Sequence, residues 1–392
     1  MNILYVLNST YALGGATKSL LTLLKSVMQH GHTPTVVAPD EDGVVSTLRQ
    51  MGIAVIAVPY RNNTYPDARN IKEKILFLPR LLMRRILIRK AVQTVYEQVK
   101  TRNIAIVHTN VSVVDVGERV AEKLGVPHIY HIREYADLDF HLRYYPSSKV
   151  FHRRLAQNYT LCITRAIQQH HHLVGNPKSM VVYNGITITG EQRSGTLPKR
   201  PYFLYAGRIE ECKGLYDLAV AYTLFTKKKG TEFPALAIAG DIAEEAYFRE
   251  TMDFLRHNGF TEKEILYLGP RKDMVSLMSH AVATIVPSYF EGFGRCLPEA
   301  MLSRSVTIGR DTAGTKEQFD NGLQCTGEEI GYRFHDINEL EQCLNEVCST
   351  SAEELQSMRE RALLTVRKYY SPERYTDSII NLYEKIERER TH

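Results

Sequence analysis

The residues best suited to chemistry lie in the last third of the chain, in the run Glu291-Gly292-Phe293-Gly294-Arg295-Cys296-Leu297-Pro298-Glu299-Ala300-Met301. Two carboxylates, eight positions apart, flank a loop that carries two glycines. Glycine lets backbone N–H groups approach a ligand closely. A helix opening at the end of such a loop turns unsatisfied donors and its positive dipole end toward an anion such as a phosphate. Glu291 and Glu299 at the edges of that anion site are acceptors for hydroxyls, so the set suits a polyol joined to a phosphate. Carboxylates beside a diphosphate repel it unless cations intervene. The sequence supplies two, in Gly207-Arg208 and Lys213-Gly214. An arginine forks onto two phosphate oxygens and a lysine adds a point charge beside them.

The elements that must hold these residues follow from hydrophobic pattern. The apolar run 283–286 reads as a buried strand feeding the Gly-rich loop, and 202–206 reads as a strand ending at Gly207, with a helix from about residue 215. Functional loops at strand ends match the rule that ligands of open α/β sheets bind beyond the carboxyl ends of the strands. Further strands are expected at 235–239 and 265–268, and helices near 215–228 and 243–257. In the first half, strands at 3–7, 35–38, 54–58, 104–108 and 128–131 alternate with helices near 17–29, 44–51 and 113–124. Alternation of this kind predicts an α/β chain with a doubly wound parallel sheet in each half. Residues 190–200, rich in Ser, Gly, Thr and Pro, read as the linker.

In order and spacing, Gly207-Arg208-Ile209, Lys213-Gly214 and, about eighty residues later, Glu291 to Glu299 form a pattern that resembles the family 4 retaining glycosyltransferases of the GT-B fold. Gly14-Gly15, Asn184-Gly185-Ile186 and Ala313-Gly314-Thr315 with Glu317 fall where that family places its other markers, so the resemblance covers most of the chain. It implies two Rossmann-like domains facing across a cleft. Residues 1–188 would form the acceptor-side domain, 189–371 the nucleotide-sugar domain, and a helix at about 372–392 would pack back on the first. Carried over by residue, Arg208 and Lys213 would hold the donor diphosphate and neutralise the departing nucleotide. Glu299 would bind the ribose hydroxyls, and Glu291 would accept from the donor sugar. The backbone of Gly292, Phe293 and Gly294 would shape that pocket, and the amide of Leu297 would reach phosphate. The filling Arg295-Cys296-Leu297-Pro298 is less apolar than the family's usual one.

The same resemblance implies transfer of a sugar from a nucleotide-diphosphate sugar, with UDP favoured, to an acceptor hydroxyl. Retention by front-face displacement is expected, without metal or other cofactor. The acceptor would be a lipid-linked or growing glycan in surface-polysaccharide synthesis. A sugar-nucleotide epimerase of the same plan and a non-catalytic sugar-nucleotide-binding subunit are the alternatives; the four residues Arg208, Lys213, Glu291 and Glu299 argue against the second.

In the first half, the loop after the first strand, Asn8-Ser9-Thr10-Tyr11-Ala12-Leu13-Gly14-Gly15, is Gly-rich without being Gly-x-Gly-x-x-Gly. A dinucleotide site, and with it a nicotinamide dehydrogenase, is poorly supported. The resemblance gives Gly14 and Gly15 a place near the donor phosphates. His131, at the end of its strand and expected to face the cleft, is the candidate for orienting donor or acceptor. Arg133 and Glu134 read either as an acceptor-binding pair or as a local ion pair. His108 and Asn110, ending the neighbouring strand, are weaker acceptor-side candidates.

Composition sets bounds. A chain of 392 residues with 44% hydrophobic and 24% charged residues is ordinary for globular protein and long enough for two cores. The six cysteines show no Cys-x-x-Cys and no histidine partners at zinc spacing, so they read as reduced thiols. Asp137-Leu138-Asp139 and the consecutive His170-His171-His172 are discounted as metal ligands, and no metal and no nucleic-acid partner are expected. The first residues lack the pattern of a signal peptide, no apolar stretch is long enough to span a membrane, and a cytoplasmic location is expected. Residues 69–90 carry eight Lys or Arg and one acidic residue among apolar ones. They read either as a segment lying peripherally on an anionic membrane surface or as a long helix that buries its apolar face, with Pro79 breaking or kinking it.

Overall fold

The computed structural model describes residues 1–12, 14–66, 71–140, 142–188, 197–229 and 232–391. Most of the expected linker falls outside these, as do Leu13 and Arg69. The chain divides into two compact units, one of residues 1–185 with 372–392 and the other of 186–371.

In the first unit the strands are β1 (Asn2–Val6), β2 (Thr33–Ala38), β3 (Ala54–Ala57), β4 (Thr64–Pro66), β5 (Ile104–Thr109), β6 (His128–Ile132), β7 (Leu142–Tyr144), β8 (Tyr159–Cys162) and β9 (Ser179–Val181). Seven form one sheet in the order β3-β2-β1-β5-β6-β8-β9, every pair parallel. β4 and β7 make a separate antiparallel pair. The sheet's central strands are buried along nearly their whole length, which is why they read as continuous apolar runs rather than alternating ones. Helix Gly15–Gln29 lays Leu20, Leu23, Leu24 and Val27 on the sheet. The last helix, Pro372–Thr391, belongs to this unit and adds Tyr375, Ile379, Tyr383 and Ile386 to the same core.

The second unit repeats the plan with β10 (Tyr202–Ala206), β11 (Ala235–Ala239), β12 (Ile265–Gly269), β13 (Ala283–Val286), β14 (Thr307–Arg310) and β15 (Tyr332–Phe334), in the all-parallel order β12-β11-β10-β13-β14-β15. Phe203, Tyr205, Leu236, Ile238, Ile285 and Ile308 meet the buried faces of helices Leu215–Lys229 and Ile337–Ser349. In each sheet the chain order reverses at the first strand, between β1 and β5 and between β10 and β13. This is the doubly wound topology, whose switch point opens a crevice at the carboxyl ends of the two strands.

Of the two outcomes expected at Pro79, the break does not occur: its helix runs from Ile71 to Val99. Proline removes one backbone donor and the i→i−4 bond that it would make; the rest of a 29-residue helix carries the element through.

Candidate functional site

The loops named by the sequence leave the carboxyl ends of neighbouring strands in the second unit. After β10, the Gly207 amide donates to the carbonyl of Ala239 (3.0 Å), and the Tyr205 hydroxyl donates to the carbonyl of Arg208 (2.7 Å). These bonds fix the backbone while the Arg208 side chain stays 50% exposed, its Nη2 2.8 Å from Glu210. Residues Glu211–Lys213 make one 3₁₀ turn that closes at Gly214, whose φ of 69° is left-handed. A β-carbon on Gly214 would lie 2.3 Å from the carbonyl oxygen of Pro287, so only glycine lets this turn press against the end of β13. That approach brings Lys213 Nζ to 2.8 Å from Glu291 Oε1, joining the two segments that the sequence separates by 78 residues. Burial works against the Lys213 charge and the adjacent Glu291 carboxylate more than restores it, leaving the ammonium above the ordinary lysine range.

The Gly-rich loop is held from behind. The amide of Gly314 donates to the Glu291 carbonyl (2.9 Å), and Gln318 Nε2 donates to the carbonyls of Phe293 and Gly294. A β-carbon on Gly314 would meet the carbonyl oxygens of Glu291, Gly292 and Phe293 at 2.7, 2.9 and 2.9 Å. Helix Ala313–Thr326 therefore takes up the loop's acceptors. Phe293 is buried with its ring edge-on to Tyr370, 5.4 Å between centroids, and anchors the loop from within. The helix that follows is Cys296–Leu302, so Cys296 and Leu297 sit in its first turn, Leu297 fully buried and Cys296 partly so. Burial pushes the Cys296 thiol far above its usual range, as befits a packing residue. Glu299 Oε1 lies 3.2 Å from Nε of Arg295, one turn earlier.

One supporting residue carried no sequence signal. Arg310, buried at the end of β14, donates to the carbonyls of Pro287 and His335 (both 3.0 Å) and pairs with Asp217 at 2.5 Å. Its guanidinium lies 4.7 Å from the centre of the Tyr289 ring, and the Tyr289 hydroxyl donates to Asp217 (3.0 Å). The exit of β13 is thus fixed by a side chain from the next strand. A lone Arg in the run 306–310 gives no hint of this.

The first-unit candidates occupy the carboxyl ends of β5 and β6, beside the other switch point. His131 differs from its expected place: it is 0% exposed. It is the fourth residue of a strand buried on both faces, where its side chain lies between His108 and Tyr375. The groups make a directed string. Arg133 Nη2, which can only donate, lies 3.2 Å from His131 Nδ1, so that nitrogen is an acceptor and the proton sits on Nε2. His108 Nε2 donates to the same Nδ1 (3.3 Å), and His108 Nδ1 accepts from the Tyr383 hydroxyl (2.6 Å). Burial, then the nearby Arg133 charge, holds both imidazoles well below the ordinary histidine range and neutral. His131 Nε2 is buried without a hydrogen-bond partner.

Arg133 and Glu134 are not an ion pair. Glu134 turns inward, accepting from Ser112 N (2.9 Å), Ser112 Oγ (2.7 Å) and the Arg133 amide (3.2 Å), and burial pushes its carboxyl up to about 7. The Arg133 guanidinium goes instead to Asn110, Asn184 and Tyr375. Gly14 is the extended residue before helix Gly15–Gln29, and the Asn110 side chain donates to the Ala16 carbonyl (3.3 Å), tying the end of β5 to that helix start.

The family described as glycosyl transferases group 1 matches residues 189–363, and glycosyltransferase family 4 matches residues 13–189. No curated protein matches the chain by sequence. Among solved structures, a glycosyltransferase from Rickettsia africae is 18% identical, with 98% of each chain covered and a TM-score of 0.76. Anabaena HepE, solved with UDP-glucose, is 19% identical over 98% of this chain and 100% of its own, with a TM-score of 0.71. The lipopolysaccharide outer core galactosyltransferase WaaB is 18% identical, covers 98% and 100%, and has a TM-score of 0.70. At these identities the structures speak to the fold, which is the GT-B type.

Proposed function

The chain belongs to family 4 of the glycosyltransferases, of the GT-B type, and from that premise we propose that it moves a sugar from a UDP-sugar to an acceptor hydroxyl with retention at the anomeric carbon. The observation that carries the donor half is the Lys213–Glu291 pair, which joins the loop after β10 to the Gly-rich loop at the β10/β13 switch point; Arg208, paired with Glu210, stands exposed on the first of these loops. UDP is preferred because Anabaena HepE was solved with UDP and with UDP-glucose.

In this reading Arg208 and Lys213 hold the diphosphate. The Lys213–Glu291 pair places a cation for phosphate and an acceptor for sugar hydroxyls side by side. Glu299 takes the ribose hydroxyls, Phe293 seats the loop between them, and the Leu297 amide reaches toward phosphate. As the bond from the anomeric carbon to the diphosphate oxygen breaks, negative charge grows on the leaving group, where the two cations stabilise it most. The bond to the acceptor oxygen forms on the same face, and the hydroxyl proton passes to the departing diphosphate. Metal independence is part of the proposal, since both charges come from side chains. His131, fully buried and neutral, acts through Arg133: its Nδ1 accepts from the Arg133 guanidinium and so helps to fix the side chain that faces the acceptor. Asn110, Arg133 and Glu134 are assigned to the acceptor side.

The acceptor is proposed to be a lipid-linked or growing glycan of a surface polysaccharide, reached from an anionic membrane surface. No helix of the described residues is long and apolar enough to cross a membrane. Helix Ile71–Val99, however, buries Leu81, Ile88, Val92 and Val95 while Leu76, Phe77, Leu78, Leu82, Met83 and Ile86 lie exposed. That is six of the fifteen large apolar side chains exposed among the described residues, with Leu78 at 69% and Leu82 at 61%. Exposed Arg80, Arg85, Arg89 and Lys90 border them, and from residue 76 to 96 there is no acidic residue. A helix that only buried its apolar face would leave a polar outside; apolar residues rimmed by cations suit the interface of an anionic bilayer. The side chains of Lys72, Glu73 and Lys74 lie outside the description.

The test is release of UDP from a panel of UDP-sugars, with and without lipid-linked acceptors and in the presence of chelator. Acceptor-dependent release with the anomeric configuration kept supports the proposal; isomerised sugar with nothing added to an acceptor would replace it with an epimerase.

A further inference from the structure

We propose that Arg133 is the centre of a receptor for an oxyanion, a carboxylate or a phosphate, carried by the sugar acceptor. The inference rests on the acceptor-side assignment of the first unit and gives that acceptor a chemical class.

Arg133 is partly buried and placed with unusual care for a residue without a counter-ion. Its Nε donates to the Asn110 carbonyl (3.0 Å), Nη1 to Asn184 Oδ1 (2.7 Å), and Nη2 to Asn110 Oδ1 (3.1 Å), Tyr375 Oη (3.0 Å) and His131 Nδ1 (3.2 Å). These partners come from the ends of β5 and β6, from the segment after β9 and from the last helix, so four separate parts of the unit fix one side chain. Every partner is neutral, and among the described residues no carboxylate lies at ion-pair distance from the guanidinium. The adjacent carboxylate, Glu134, is committed to Ser112 instead. A partly desolvated charge without compensation is unfavourable, and one nearby carboxylate would relieve it. Neutral acceptors that fix the orientation but leave the charge intact suit a site whose counter-ion arrives with the ligand.

The donor inventory points the same way. Guanidinium has five N–H groups, two of them on Nη1, where one bond to Asn184 is made. A hydroxyl would use a remaining donor and leave the charge unmet; an oxyanion answers both. The location, at the carboxyl ends of β5 and β6 next to the β1/β5 switch point, is where a doubly wound sheet takes ligands.

The experiment uses the full chain labelled with ¹⁵N-arginine, with the Arg133 Nε–H signal assigned by its loss in Arg133→Gln. Methyl phosphate, methyl glucuronide and methyl glucoside are titrated in turn. The expected result is a saturable shift of that signal with one or both anions and none with the neutral glucoside. Response to phosphate alone, or to glucuronide alone, names the source of the anion. Arg133→Lys, which keeps the charge and loses the fork, is expected to bind the same anion more than tenfold more weakly, as read by competition. An Arg133 signal indifferent to both anions, or equally responsive to glucoside, overturns the proposal. UDP titrated into the same samples reports the second unit, so loss of the donor reading is seen separately; an unchanged circular dichroism spectrum and melting temperature in both variants show that the first unit is folded.

Discussion

Lys213 Nζ and Glu291 Oε1 stand 2.8 Å apart, a pair made by a turn after β10 and a loop after β13. A diphosphate entering this site offers Lys213 a second anionic partner, and Glu291 is then free to meet hydroxyls. The two halves of the pair therefore have opposite effects on nucleotide binding. Lys213→Ala should weaken UDP binding and lower turnover by roughly 10²–10³-fold, the scale for losing one transition-state donor. Glu291→Ala removes a competitor for Lys213, so UDP alone should bind at least as well as to the parent while turnover falls. Calorimetry beside steady-state rates distinguishes them; a Glu291→Ala protein that loses UDP affinity contradicts the partner exchange.

Gly314→Ala tests the support behind the Gly-rich loop. The new methyl would collide with three consecutive loop carbonyls, so helix Ala313–Thr326 and the loop must separate. UDP affinity should fall about tenfold or more, a loss of roughly 1.4 kcal/mol or greater, from a residue that presents no side chain to the ligand. Unchanged affinity would mean that the loop's position does not depend on this helix.

Removing Asp217 leaves the buried Arg310 charge without its carboxylate. Asp217→Ala should destabilise the protein by about 3–5 kcal/mol, the usual loss when one partner of a buried pair is deleted. Denaturant unfolding monitored by circular dichroism measures it; a change below about 1 kcal/mol would place the pair among surface-like bridges.

Acid should unfold the first unit through its buried histidines. His128 donates or accepts at Thr109 (2.7 Å) and Asn158 (3.1 Å), and burial pushes its imidazole down to about 3. A group depressed in the folded state contributes stability that is full above its unfolded value, near 6.5, and is lost as pH falls toward the folded value. Melting temperature should therefore fall from pH 6.5 downward, with His108, His131 and His171 acting in the same direction. His128→Asn should flatten that slope; an unchanged slope would show that this histidine does not set it.

Exposed Leu78 and Leu82 give the membrane proposal its own check. Leu78→Asp/Leu82→Asp should abolish sedimentation with vesicles rich in phosphatidylglycerol, while UDP binding and melting temperature stay unchanged because neither side chain is in the core. Equal sedimentation of variant and parent removes the helix from the membrane.

Much of the fold was legible because its strands are buried on both faces. Runs such as 202–206, 235–239 and 283–286 coincide with β10, β11 and β13. What stayed hidden was set by tertiary contact. β8, β14 and the β4/β7 pair are short, and β14 ends in an Arg whose burial depends on Asp217, 93 positions earlier. At the donor loop, residue types and spacing were enough to name Arg208, Lys213, Glu291 and Glu299, and the Lys213–Glu291 contact adds what spacing does not reveal. His131 was legible as a strand-end histidine but not as a buried one, since exposure there depends on Tyr375 from the last helix. The separation of Arg133 from Glu134 was equally hidden, because Ser112 comes from a different loop.

The most direct measurement is a calorimetric titration of the protein, with chelator present, against UDP, GDP and ADP and their common sugar conjugates, repeated with Arg208→Ala/Lys213→Ala. Selective binding of UDP and a UDP-sugar that disappears in the double variant is the predicted result. Binding of none of these nucleotides, or binding that survives loss of both cations, would contradict a donor site at the β10/β13 switch point.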